Sequence, residues 1–88
     1  MPNVQDMIAQ HDELTKTQAR IFDYMLDHPE AVCYDSLRSI AEHIGVTEVS
    51  VLKLCRKLGC SGYTEMKTLF RQYVGKRLKD TFDRSYTL

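Results

Sequence analysis

Hydrophobic residues recur at spacings of three and four along most of this chain, and the positions between them are polar. This period is that of amphipathic α-helices, and no alternating pattern of useful length indicates a β-strand. The pattern predicts an all-α domain of five to six helices. The residues predicted to face inward are Val4, Met7 and Ile8 in a short first helix; Gln18, Ile21, Phe22 and Met25 in a second; Val32 and Cys33 in a turn over residues 30–34; Leu37, Ile40, Ala41 and Ile44 in the next helix; and Tyr63, Met66, Phe70, Tyr73, Val74, Leu78 and Phe82 in a long helix over residues 63–82.

Residues with strong capping preferences mark the boundaries of these helices. A side-chain oxygen that accepts from a free N–H favours a helix start, whereas a glycine, or the residue before a proline, favours a helix end. Thr15 and Gln18 have the spacing of a capping box. The predicted starts are therefore Thr15, Ser36 and Thr47, and the predicted ends are His28, Gly45 and Gly59.

Residues 36–59 carry a helix-turn-helix pattern, with the sequence SLRSIAEHIGVTEVSVLKLCRKLG. Two short helices approach closely only if a small residue lies at their crossing, and a glycine permits the sharp turn between them. Ala41 and Gly45 meet these two requirements. The pattern makes duplex DNA the first candidate partner, with the second helix, residues 48–58, in the major groove.

A helical wheel divides this second helix into two faces, because successive side chains are rotated by about 100°. The residues within about 60° of one direction form a mostly apolar face that can dock on the first helix, and they are Val51, Leu54, Cys55, Leu58 and Thr47. The residues on or beside the opposite face are Val49, Lys53, Arg56, Ser50 and Lys57. The second set forms an exposed surface near the width of a major groove.

The N-terminal residues of the second helix in such motifs reach base edges. We expect Lys53 to donate to guanine, Ser50 to donate or accept, and Val49 to pack against a thymine methyl. Glu48 either accepts a hydrogen bond from cytosine N4 or only interacts favourably with the positive end of the helix dipole. Phosphate contacts are expected from Arg56, Lys57 and Thr47, the last through its hydroxyl and backbone N–H. The alternative for each residue is a solvated surface side chain.

The formal net charge of zero hides an uneven distribution of charge along the chain. Residues 1–46 hold three Lys/Arg and eight Asp/Glu (net −5), and residues 47–79 hold eight Lys/Arg and two Asp/Glu (net +6). Residues 80–88 hold one and two (net −1). A local positive excess can face phosphates while the acidic part points away, although solvated helix surface is the alternative explanation.

Length and composition narrow the class of protein further. Eighty-eight residues form one small domain, with no apolar run near the roughly 20 residues of a membrane span and no signal-peptide pattern, so we expect a cytoplasmic protein without a membrane partner.

We expect Cys33, Cys55 and Cys60 to be buried thiols, with a redox or metal site as the weaker alternative. Motifs for catalysis or phosphate cradling are missing, so neither an enzyme nor a cofactor is predicted.

The stretch from residue 14 to residue 69 resembles the RpiR-type bacterial regulators of sugar metabolism. The segments that carry this resemblance are LTKTQARIFDYMLDHPEAV, SLRSIAEHIGVTEVSVLKLCRKLG and SGYTEMK. The resemblance implies an N-terminal DNA-binding domain, residues 1–82, that dimerises on palindromic operators. It also implies that residues 83–88 begin a linker to a sugar-isomerase-type domain that binds a phosphosugar effector and is absent from this chain. The chain is then either a piece of a longer regulator, which we favour, or a shortened member.

Four positions depart from the family pattern. Lys53 replaces the usual Arg and Val49 the usual Ala, so the operator of relatives cannot be transferred, and Lys53 lacks the bidentate fork of arginine. Leu54 replaces the usual Phe and Cys60 the usual aromatic residue, which are lighter side chains at core positions.

A dimer is also expected on physical grounds, because one recognition helix touches too few base pairs to select one genomic site. The candidate seams are the ridge of Val74, Leu78 and Phe82 and the stripe of Val4, Met7 and Ile8; the alternative is that both pack within the monomer. A helical protein-interaction module without DNA binding is the competing function, because helix pairs joined at a glycine also occur in such proteins.

Overall fold

The computed structural model describes the backbone of residues 3–86 and the side chains of residues 3–76. Within this part the chain forms six α-helices, one short 3₁₀ turn and no strand, which confirms the predicted all-α class. The helices are α1 (Val4–Ala9), α2 (Lys16–Asp27), α3 (Pro29–Tyr34), α4 (Leu37–Ile44), α5 (Glu48–Lys57) and α6 (Tyr63–Tyr86), and the 3₁₀ turn spans His11–Glu13.

Side-chain oxygens cap the helix starts that the sequence predicts. Thr15 accepts from the backbone N–H of Gln18 at 3.2 Å, and the Gln18 side chain accepts in return from the Thr15 N–H at 3.1 Å, which completes the predicted capping box. Ser36 accepts from the Ser39 N–H at 3.1 Å. A second capping box, which the sequence analysis missed, begins α1 at Asn3. Each cap provides a partner for an N–H that the helix itself cannot satisfy.

The predicted ends of α4 and α5 share one backbone motif. Gly45 and Gly59 have φ values of 83° and 94°, in the left-handed region that glycine adopts without steric cost. After α4, the Val46 N–H donates to the Ala41 carbonyl, and after α5 the Cys60 N–H donates to the Cys55 carbonyl. This six-to-one bond is that of a Schellman motif, which closes a helix and turns the chain sharply.

The core lies where α5 packs against α2 and α4, and where α3 packs along the first half of α6. Its fully buried large side chains are Phe22, Phe70, Met7, Ile21, Met25, Ile40, Leu54, Leu58, Met66, Val4, Val32 and Val51. Most of the residues predicted to face inward are therefore buried. Ile8 is an exception, because its side chain is 41% exposed while Val4 and Met7 on the same helix are covered.

Two side chains of α6 attach this helix to α3. The Tyr63 hydroxyl lies 3.3 Å from the carbonyl oxygens of Val32 and Asp35, and Arg71 Nη2 donates to the Cys33 carbonyl at 3.2 Å. These donors satisfy carbonyls at the C-terminal end of α3, which a six-residue helix leaves without partners. They explain how so short a helix is held in place.

The long helix α6 continues to Tyr86, four residues beyond the predicted end at residue 82. The sequence after residue 82 contains no proline or glycine that would stop a helix. Val74 is half-buried against the core, whereas Leu78 and Phe82 of the predicted ridge lie outside the described side chains.

Candidate nucleic-acid interface

The helix α5 has one buried face and one exposed face, as the helical wheel predicts. The side chains of Val51, Leu54 and Cys55 are fully buried, and Leu58 just after the helix is covered as well. These residues belong to the hydrophobic core, and α5 packs against α2, α4 and α6. The packing fixes which side of α5 the protein presents to a partner.

The exposed face of α5 gathers the residues that the sequence analysis proposes for DNA contact. Val49 is 59% exposed, one of the three large apolar side chains that the described part of the chain leaves exposed. Ser50 is half-exposed, and Glu48, Lys53, Arg56 and Lys57 are exposed. All of the α5 residues proposed for DNA contact are thus accessible to solvent, and these exposed positions are named here the α5 outer face (residues 48, 49, 50, 53, 56 and 57).

Thr47 has a different place from the one the helical wheel gives it. Its backbone is extended, with φ −81° and ψ 157°, so it is the N-cap of α5 and not a member of the buried helical face. Its side chain is exposed. The wheel fails here because it assumes helical geometry at a residue that precedes the helix.

The hydroxyls of Thr47 and Ser50 form a pair at the start of α5. Thr47 Oγ1 accepts from the Ser50 backbone N–H at 3.1 Å and lies 3.0 Å from Ser50 Oγ. One hydroxyl donates to the other, so the second hydroxyl hydrogen points outside the pair. The start of α5 thus carries a held hydroxyl donor next to the positive end of the helix dipole, an arrangement suited to an anionic oxygen.

The cations of the α5 outer face have no acidic partner in the described part of the chain. The ion pairs there join His11 to Asp23, Arg38 to Glu42 and His43 to Asp35. Lys53, Arg56 and Lys57 belong to none of these pairs, and their charges remain available to an external anion. Unneutralised cations on one helix face are the electrostatic feature that phosphate binding requires.

Two arginines that a charge count treats as surface cations instead donate hydrogen bonds to backbone carbonyls of other helices. The sequence analysis predicted neither contact. Arg71 belongs to the basic stretch but donates to the Cys33 carbonyl inside the fold. Arg20, in the acidic half, places Nη2 2.6 Å from the carbonyl oxygen of Ile44 at the end of α4. Each carbonyl lies in an element distant along the chain, so no local sequence signal could have identified it.

All three thiols are buried and unbonded, as predicted. Burial raises the pKa of Cys55 to about 12 and that of Cys60 to about 11, and it also raises the pKa of Cys33. These thiols stay protonated at neutral pH, the form that is a poor nucleophile and a poor metal ligand. Within the described residues no group of three or more His, Cys, Asp or Glu side chains could hold a metal ion.

The described helices also differ from membrane helices. None of them combines the length and the apolar composition needed to cross a bilayer.

Comparison with known proteins identifies the family of this domain. The model of the rpiR-family helix-turn-helix domain matches residues 2–77. The chain is 37% identical over 57 residues to an uncharacterized helix-turn-helix-type transcriptional regulator of Haemophilus influenzae, covering 65% of this chain and 20% of that protein. It is 30% identical over 77 residues to a protein of the same description from Thermotoga maritima, covering 86% of this chain and 28% of that protein.

Two further likenesses concern a larger protein and a solved structure. The bifunctional protein glk of Burkholderia mallei is 36% identical over 56 residues, which are 64% of this chain and 9% of that protein. The N-terminal domain of ybbH from Bacillus subtilis, assigned as a transcriptional regulator, has the same fold with a TM-score of 0.68 at 22% identity, covering 74% of this chain and 79% of that chain. The chain spans only 9% to 28% of the length of the three relatives compared by sequence.

The family match covers most of the chain and includes both helices of the motif and the α5 outer face. The chain belongs to the rpiR family of helix-turn-helix domains, and the domain that it forms is a DNA-binding domain of the kind found in transcriptional regulators.

Proposed function

We propose that this domain reads a specific operator sequence in duplex DNA, with α5 in the major groove. In this proposal base edges are read by Val49, Ser50 and Lys53, with Glu48 as a fourth reader, and phosphates are held by Thr47, Arg56 and Lys57. One observation carries it: the α5 outer face presents unpaired cations and an exposed valine opposite a fully buried face. A purely structural helix has no need of such a surface.

The chemistry of each proposed reader matches a feature of the major groove. The Lys53 ammonium donates to the O6 and N7 atoms of guanine, and the exposed Val49 side chain packs against a thymine methyl. The hydroxyl pair of Thr47 and Ser50 offers one outward hydrogen to a phosphate or a base. Arg56 lies further along α5, where a helix in the groove passes the DNA backbone.

The test is an anisotropy titration against a duplex selected from a random DNA pool. Binding is expected in the nanomolar to micromolar range, and it weakens steeply as salt increases because counterions are released from phosphates. Arg56→Ala should weaken binding to all duplexes alike and lower the salt slope by about 1, whereas Lys53→Ala should relax preference at one base position.

Lys16→Ala is a matched control for these variants. Lys16 is an exposed cation at the start of α2, the helix that packs behind α5. Lys16→Ala changes the net charge by the same amount as Lys53→Ala or Arg56→Ala, but at a position outside the α5 outer face. It should leave sequence preference unchanged. Full affinity in a Lys53→Ala, Arg56→Ala double variant would refute the assignment of α5, and absence of DNA binding even at low salt would favour a protein-interaction module.

We also propose that the domain binds a palindromic operator as a homodimer, in a bacterial cytoplasm where such DNA lies. Val4 and Met7 are buried within the monomer, so the remaining candidates are the exposed Ile8 and the predicted ridge of Val74, Leu78 and Phe82, of which only Val74 lies among the described side chains. A groove of about 150 Å³ between α1 and α6 is lined by apolar and polar side chains: Asn3, Val4, Gln5, Leu69, Gln72, Tyr73 and Lys76. Sedimentation of the wild type and of Ile8→Asp, with and without a two-half-site duplex, tests this seam.

The third part of the proposal concerns a longer regulator. Residues 1–82 are the DNA-binding domain, residues 83–88, of which 83–86 continue α6, lead into a linker, and the following domain binds a phosphosugar that controls operator affinity, as in sugar-responsive RpiR-type regulators. The support is the family match together with the small share of its regulator relatives that this chain spans. The native reading frame after residue 88 tests it, and a frame that encodes no such domain would refute it.

A further inference from the structure

The carbonyl oxygen of Ile44 is bound by a side chain from another helix. Arg20 on α2 donates from Nη2 to this oxygen at 2.6 Å, across 24 positions of sequence. The Schellman motif satisfies the Ala41 and Glu42 carbonyls of α4 but leaves that of Ile44 outside the helix. A guanidinium at this end also complements the negative end of the α4 dipole.

The same guanidinium lies against the turn between α4 and α5. A side-chain carbon added to Gly45 would be 3.6 Å from Arg20 Nη2, which is ordinary contact distance. Helix α5 begins at Glu48, so only Gly45, Val46 and Thr47 separate the bound carbonyl from the recognition helix. The bound carbonyl and the start of α5 are therefore joined by a short connection of three residues.

We propose that Arg20 is a positioning residue that fixes the orientation of α5 for DNA reading. This inference rests on the proposed function of α5. The apolar contacts of α5 with α2 and α4 hold it in the fold, but such contacts are not directional. A short, charge-assisted hydrogen bond is directional, and this one connects the scaffold helix α2 to the end of α4. It sets where α5 starts, and thus where Val49, Ser50 and Lys53 point.

A direct phosphate contact by Arg20 is the competing role, and salt dependence separates the two. A residue that binds phosphate contributes about 0.9 to the slope of log affinity against log salt, and it strengthens binding equally for all DNA sequences. A positioning residue changes the affinity for the selected operator but leaves that slope and the affinity for unrelated duplexes unchanged.

The test compares Arg20→Met with Arg20→Lys and with Lys16→Met. Methionine keeps much of the aliphatic stem and removes every donor, lysine keeps a charged donor, and Lys16→Met removes the same charge at an exposed position one turn earlier on α2. Affinities for the selected operator and for a scrambled duplex are measured at several salt concentrations, well below the melting temperature of every variant.

Arg20→Met should lower the ratio of operator to scrambled affinity by about tenfold, consistent with the loss of a charged hydrogen bond. Arg20→Lys should restore part of this ratio, and Lys16→Met should not change it. A salt slope reduced by about 0.9, with equal loss on both duplexes, would show a phosphate contact and overturn the proposal. An unchanged ratio would overturn it as well.

Hydrogen exchange in the DNA-free protein separates failure of this inference from failure of the proposed function. The Gly45 and Val46 amides donate to the Ala41 carbonyl in the turn that Arg20 contacts. Arg20→Met should accelerate their exchange about tenfold while leaving the Ala19 amide at the start of α2 unchanged. Unchanged exchange would refute the positioning role whatever the DNA measurements give. If exchange is faster but the Lys53→Ala, Arg56→Ala variant keeps full DNA affinity, only the function assigned to α5 is refuted.

Discussion

The hydroxyl of Tyr63 lies 3.3 Å from the carbonyl oxygen of Val32, a residue 31 positions earlier in the chain. The same hydroxyl lies 3.3 Å from the carbonyl of Asp35, so one hydrogen is shared between two acceptors. Tyr63 begins α6, and its ring is covered by the core. The start of α6 is thereby attached to the segment that leads into the helix-turn-helix motif.

Tyr63→Phe should destabilise the domain by about 1 kcal/mol, because it removes the shared donor and keeps the buried ring. Denaturant unfolding measures this change in the free energy of unfolding. Tyr34→Phe is the matched control, since Tyr34 is 82% exposed and its substitution should leave stability unchanged. Equal effects of the two substitutions would contradict a structural role for the Tyr63 hydroxyl.

Gly45→Ala should destabilise the fold by about 1 kcal/mol or more, because alanine pays a steric cost at the φ of 83° that Gly45 adopts. Thermal unfolding measures the loss. Gly75→Ala is the control, since Gly75 lies inside α6 without a positive φ and an added carbon there meets no atom within 4 Å, so alanine should not destabilise the fold. The expectation fails if Gly45→Ala melts at the wild-type temperature.

Thr47→Ala should cost about 1 kcal/mol of stability, the usual value of an N-cap. Thr47→Ser keeps an oxygen that can accept from the Ser50 N–H and should stay near the wild-type value. Both variants are compared by urea unfolding. If serine were as damaging as alanine, the packing of the threonine methyl rather than the cap would explain the loss.

The free energy of unfolding should decrease as pH rises above about 9. In the unfolded chain a thiol ionises near its ordinary pKa of 9.0, whereas burial raises the pKa of Cys55 to about 12 in the fold. Between these values the unfolded state binds fewer protons than the native state, so higher pH favours unfolding by at most about 1.4 kcal/mol per pH unit for one thiol. Below pH 9 the Cys55 thiol is protonated in both states, so the stabilisation associated with its raised pKa is fully present there.

The variant Cys55→Ala isolates that contribution. Its unfolding free energy should decline less steeply than that of the wild type between pH 9 and 10.5, measured by urea titration at each pH. Absolute stability also changes because of the lost sulfur, so the slopes are compared. Identical slopes would show that Cys55 is not protected from ionisation.

Local features of this fold could be predicted from the sequence because local rules determine them. The caps at Thr15 and Ser36 and the glycine ends depend on neighbours within six residues, and these were predicted, although the equally local capping box at Asn3 was missed. The buried side of α5 follows from its helical period. These rules also define the α5 outer face, whose contact with DNA stays a prediction.

Contacts between distant elements could not be predicted in the same way. Arg20 and Arg71 read as ordinary surface cations, yet each donates to a carbonyl of another helix. Ile8 fits an apolar stripe by spacing, but α1 is a helix of six residues and the monomer covers only part of it. Which partner a side chain meets depends on how the helices pack, and periodicity does not contain that information.

The buried thiols give this domain reporters of its own motions. A thiol reagent reaches Cys33, Cys55 or Cys60 only when the surrounding structure opens, since all three side chains are covered. They lie in α3, in α5 and directly after α5, so labelling followed by mass spectrometry gives the opening free energy at each place in the unmodified sequence. The recognition helix can thus be observed as it loosens or tightens, with and without DNA, and no foreign probe has to be introduced.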